Sequence, residues 1–78
     1  MKKQRNDRLL KLGEACGNFR RRYLGASQAE VARDLGCTPS NISLFECGKN
    51  DSARILLWYV DRGFWPLVDV EVWSNGIF

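Results

Sequence analysis

Between Asp7 and Leu24, apolar side chains recur at Leu9, Leu12, Cys16, Phe19 and Tyr23, with spacings that alternate between three and four residues. That period marks one face of a helix. Asp7 near its start and Arg20, Arg21 and Arg22 near its end complement the helix dipole, while Gly13 and Gly17 weaken it by up to ~1 kcal/mol each relative to alanine. Gly25 is the expected stop. A second helix should open at Gln28, because Ser27 and Glu30 have the spacing of a capping box, each side chain accepting the other residue's backbone N–H. It carries Ala29, Val31, Ala32 and Leu35 and ends at Gly36. Thr38 then caps a third helix, Pro39 suits its first position, Ile42 and Phe45 lie on its inner face, and Gly48 closes it.

Asp51 or Ser52 can cap a fourth helix ending at Gly63, whose interior, RILLWYVD, is apolar on nearly every side. One face should cover the core. The remainder, Trp58 and Tyr59 especially, calls for a second buried surface, either a partner or the C-terminal tail folded back. In that tail Val68, Val70 and Val72 alternate with Asp69 and Glu71, as in a strand. Pro66 and Asn75-Gly76 would instead frame a helix over 66–75 bearing Leu67, Val70 and Trp73, and the helix is the preferred reading. At the other end, residues 1–6 include Lys2, Lys3 and Arg5 with no apolar period and read as a flexible basic arm able to touch phosphates.

The segment Ser27–Gly48 is thus two short helices around a glycine-bearing turn, a helix-turn-helix pattern. Ala32 falls where the helices cross and only a small side chain fits. Together with LGEACGNFRRRYLGASQAEVA before it and FECGKN after it, this segment resembles the Xre/lambda-repressor-like family, which includes phage repressors and Cro-like proteins. The resemblance covers roughly residues 12–64. It implies an all-α, compact domain of four to five helices, organised as a flexible arm (1–6), a helix-turn-helix DNA-binding domain (7–64) and a C-terminal apolar segment (65–78) that dimerises or covers the core.

The resemblance also implies roles. Arg21 aligns with the arginine that pairs with the glutamate closing the recognition helix, here Glu46, as a structural brace, leaving Arg20 and Arg22 to meet phosphate. Gln28, at the first position of helix two, would contact phosphate, and Lys49 and Asn50 would form the other clamp. Thr38, Pro39, Ser40, Asn41, Ser43 and Leu44 would face base edges. Asn41 can make the paired hydrogen bonds that identify adenine, and Leu44 or Pro39 can touch a thymine methyl. No arginine or lysine lies among them, a departure that points to partly shape-based readout. Phe64, Trp65, Trp73 and Phe78 are too much apolar surface to leave in water on a small monomer, and Trp58, Tyr59, Trp65, Trp73 and Phe78 are the expected dimer interface.

Composition sharpens this picture in a few places. With 78 residues, the chain is one small domain of the size that buries only ~60% of its unfolded surface, so a partner subunit would help. The longest apolar run, Ile55 to Val60, is six residues, against the ~20 needed to span a bilayer. No membrane association and a cytoplasmic location are expected. Cys16, Cys37 and Cys47 lack zinc-ligand spacing and there is no histidine, so reduced thiols and no metal or cofactor are expected. The net charge of +3 is unevenly placed: residues 1–26 carry eight basic and two acidic groups, whereas 27–50 sum to −1 and 51–78 to −2. Such a split suggests a polyanion met mainly by the first third of the chain.

The expected function is therefore sequence-specific regulation of transcription, most simply by a repressor of phage or plasmid type that binds double-stranded DNA as a homodimer on an inverted repeat. The alternative is a protein-interaction module, an anti-repressor or antitoxin gripping a phage or toxin–antitoxin partner protein with the same fold. Catalysis is not expected: there is no histidine, no phosphate-cradling glycine loop and no nucleophile–base pair.

Overall fold

Each helix boundary is set by its own chemistry. A computed structural model describes residues 2–66, and side chains from Arg8 onward. It is all-helical, in the order α1 (Lys2–Phe19), a π-helical turn (Arg20–Leu24), α2 (Gln28–Leu35), α3 (Pro39–Glu46) and α4 (Ala53–Asp61). There is no strand among the described residues. The Ser27 capping box is complete: Ser27 Oγ accepts from Glu30 N at 3.1 Å and Glu30 Oε1 from Ser27 N at 2.8 Å. Thr38 Oγ1 accepts from Asn41 N, with Pro39 at the first helical position. Of the two candidates for the α4 cap, Ser52 takes the role, accepting from Ile55 N at 3.3 Å. None of the described helices is long and apolar enough to cross a membrane.

The core lies at the centre of the four helices, where Ala15, Cys16, Phe19, Val31, Ala32, Leu35, Ile42, Phe45, Ile55, Tyr59 and Phe64 are buried. Ala32, the small residue expected at the α2–α3 crossing, is in the core, only 1% exposed. Tyr59 is the hub of the aromatic packing, stacked on Phe45 at 6.1 Å and edge-on to Phe19 at 6.5 Å and Phe64 at 6.4 Å. Phe64, beyond the end of α4, folds back and seals this cluster, which disposes of part of the apolar surplus.

Glycine lets α3 come close to α1. A Cβ on Gly13 would lie 2.3 Å from the Phe45 carbonyl oxygen, and one on Gly48 would lie 2.6 Å from Leu10 Cα. Gly48 is also left-handed, with φ of 77°. These glycines cost helix propensity and return close contact between the two backbones.

The fold differs from the expectations in several places. Helix α1 begins at Lys2, so residues 2–6 continue the helix instead of forming a separate arm. The π turn interrupts the three–four spacing of α1 and swings Tyr23 outward to 66% exposure, its ring stacked on Phe19 at 4.9 Å. Tyr59 is fully buried and is therefore core, not dimer interface. Trp58 is half-buried and turned back onto α2: its indole N–H donates to Asp34 Oδ2 at 2.8 Å, and Arg62 lies over its ring, 3.9 Å from the centroid. Arg62 also pairs with Asp34 at 2.6 Å. Trp65 is 54% exposed. Trp73, Phe78 and residues 67–75, on which the choice between helix and strand rests, lie outside the described residues.

Candidate nucleic-acid interface

Glu46, the last residue of α3, is where the four helices meet. Its carboxylate is buried, and Arg20 grips it with a fork, Nε to Oε2 at 2.7 Å and Nη2 to Oε1 at 2.9 Å. Tyr59 of α4 donates its hydroxyl to Oε2 at 2.6 Å, and Gln28 of α2 donates its amide to Oε1 at 3.0 Å. The third arm of Arg20, Nη1, reaches the Ala26 carbonyl at 2.9 Å. No buried side-chain polar atom among the described residues lacks a partner. Burial alone would raise the Glu46 pKa, but hydrogen bonds from Arg20, Tyr59 and Gln28 and the arginine's charge outweigh it and hold the carboxyl below its ordinary value. Its hydrogen bonds to Glu46 raise the Arg20 pKa further. Burial and the neighbouring carboxylate push the Tyr59 hydroxyl well up, so it stays a donor.

The brace is thus Arg20–Glu46, and Arg21 is exposed, its Nη2 donating to Asn18 Oδ1 at 2.6 Å. The π turn is the reason. It holds one residue more than a regular helix would between the brace and the Gly25 turn, so counting back along an unbroken helix lands on Arg21 where the neighbouring arginine does the work. Arg20, 6% exposed, is correspondingly unavailable to phosphate. A signal for this did exist: Arg20 follows Cys16 by four residues and shares its inward face. Tyr59 likewise follows Ile55 by four on the core stripe, and a buried tyrosine needs a partner for its hydroxyl.

With α3 anchored from beneath, its outer face is open. Thr38, Pro39, Ser40 and Leu44 are exposed, Leu44 at 43%. Asn41 and Ser43 are half-buried on opposite flanks. Asn41 lines a hollow toward α4 with Cys37, Ser52 and Arg54, and Ser43 lines a cleft toward α1. Cys47, exposed and seven residues after Ser40, extends the outer face; the helical spacing of Ser40, Leu44 and Cys47 was the available sign. Gln28 is half-buried, its side-chain amide spent on Glu46, so only its place at the first turn of α2 remains to serve an anion. Asn50 accepts from Ser52 N at 3.0 Å, which commits its oxygen to the turn before α4. Lys49 and Arg22 are exposed as expected.

The cleft between α1 and α3 measures about 420 Å³ and brings Arg21, Asn18 and Glu14 on α1 beside Gln28 on α2 and Ser43 and Cys47 on α3. It makes one continuous polar surface of the C-terminal half of α1, the first turn of α2 and the outer side of α3. No family model, no curated protein and no solved structure matches this chain.

Proposed function

We propose that this chain is a sequence-specific DNA-binding regulator of transcription, a repressor of phage or plasmid type built like the lambda-repressor-like domains, with α3 as the helix that enters the major groove. One observation carries the reading: the exposed face of α3 stands on a fully paired carboxylate brace, with Gln28 at the start of α2 and Arg21 sharing its cleft with Ser43, and Lys49 just past its end. A protruding helix held rigid from behind and flanked by phosphate-binding groups is what groove insertion requires. The protein acts as a homodimer, two copies of α3 entering successive major grooves about 34 Å apart. Thr38, Pro39, Ser40 and Leu44 meet the bases directly, and Asn41 and Ser43 do so from the flanks.

Selection of binding sites from random duplex DNA at near-physiological salt tests this reading. Enrichment of an inverted repeat with half-sites one helical turn apart is the expected result. If a folded protein enriches no sequence, the reading fails and a second one gains: a protein-interaction module of anti-repressor or antitoxin type. The observation favouring that alternative is that the outer face of α3 carries no cation but does carry Leu44, with the Glu14 carboxylate beside it.

A further inference from the structure

Helix α4 turns Ile55 and Tyr59 to the core. Opposite them it shows Ala53, Arg54, Leu57 and Asp61, all exposed, with Val60 half-buried at the edge. Leu57, 61% exposed, stands at the middle of this face. Arg54 precedes it by three residues and Asp61 follows it by four, a spacing that gathers all three on one side of the helix. At about 100° per residue, the two charges flank Leu57 on one side and Ala53 and Val60 flank it on the other. Arg54 donates one N–H to the Leu35 carbonyl and keeps the rest of its fork. Asp61 has no ion pair among the described residues.

We infer that this face is complementary to itself and is covered by α4 of a second copy of the chain, packed antiparallel across a twofold axis beside Leu57. The charges select that arrangement. Such an axis reverses direction along the helix but keeps each flank of Leu57 on its own side, so Arg54 meets Asp61 of the partner subunit and Asp61 meets the partner's Arg54. With a rise of about 1.5 Å per residue, the two members of each pair come within about 2 Å of the same level. On the other flank Ala53 and Val60 are brought together in the same way, which buries apolar surface beside Leu57. A parallel pair would instead set each charge level with its like, and a uniformly acidic or uniformly basic partner would oppose one of the two. The inference deepens the homodimeric part of the reading above and does not depend on its DNA part.

Sedimentation equilibrium of the full chain at tens of micromolar tests the pairing. Arg54→Glu or Asp61→Arg alone puts like charges together at both ends of the contact, and each should raise the dimer Kd on the order of tenfold or more. An equimolar mixture of the two variants should recover the dimer, because every pair in the mixed species is again opposite in charge. Arg54→Glu also gives up the bond to the Leu35 carbonyl, so thermal melts accompany both variants; recovery on mixing shows that misfolding is not the cause of dissociation. A native chain that stays monomeric overturns the inference. So does a dimer that both variants leave intact, and so do two variants that remain monomeric when mixed. Site selection on duplex DNA reads the other half of the proposal separately: an enriched inverted repeat, with a dimer indifferent to both variants, would keep DNA binding and discard the α4 pairing.

Discussion

At the scale of single residues, Arg20 and Arg21 differ by one position and by almost everything else. Removing the Arg20 side chain strands a buried carboxylate, so Arg20→Ala should lower the unfolding free energy by about 3–5 kcal/mol. Arg21→Ala, on the surface, should stay within about 0.5 kcal/mol. Urea titrations read both directly. The ionisable core residues add a pH signature. Glu46 has its pKa lowered in the fold, so its contribution is present above the unfolded value of about 4.3 and is lost as pH falls through the folded value. Cys16 is the reverse case: burial, with Glu46 nearby, raises its thiol pKa, so stability is intact below the unfolded value of about 8.5 and declines as pH rises above it. Unfolding followed between pH 8 and 10 should show a loss approaching ~1.4 kcal/mol per pH unit, and Cys16→Ala should flatten it.

At the scale of elements, the caps were legible and the close approaches were not. Ser27, Glu30, Gly36, Thr38 and Pro39 act through neighbours a few residues away, so their pattern alone places both ends of α2 and the start of α3 to the residue, whereas α3 ends at Glu46, ahead of the Gly48 stop. Gly13 acts through Phe45, more than thirty residues on, and in sequence it registers only as a weak helix former. The expected consequence has the opposite sign to propensity. Gly13→Ala should destabilise the domain, despite gaining up to ~1 kcal/mol of helix propensity, because the added methyl must push α3 off α1. Melting of that variant above the native temperature would refute the close packing. The π turn was hidden for a related reason: RRRYL offers no proline or glycine to mark it, and its cause is tertiary, since Arg20 must reach Glu46 while Leu24 still packs on the core. The brace pair was therefore legible in kind and misplaced by one residue.

At the scale of the whole molecule, the surface divides by character. The sides of α1 and α3 around the cleft are polar, and the apolar exposure on α4 and just beyond it is at Leu57, 61% exposed, and Trp65. Aromatic and aliphatic exposure of this kind suits a subunit contact. Under the dimeric reading, Leu57→Ser combined with Trp65→Ser should shift sedimentation equilibrium toward monomer, with operator affinity falling in step. A native chain that sediments as a monomer at tens of micromolar would set that reading aside. Part of the expected interface, Trp58 and Tyr59, turned inward, because Asp34 and Glu46 supply acceptors that an apolar count along α4 does not register.

The Glu46 junction also constrains how such a protein could be controlled. Residues of the π turn, α2, α3 and α4 converge on a single carboxyl group, so none of α2, α3 and α4 has an obvious hinge about which it could swing while the rest stays fixed. Local bending of α3 is a poor candidate for an off state. Release from a target would have to come from rigid-body repositioning of one protomer against another, or from a competitor occupying the outer face itself.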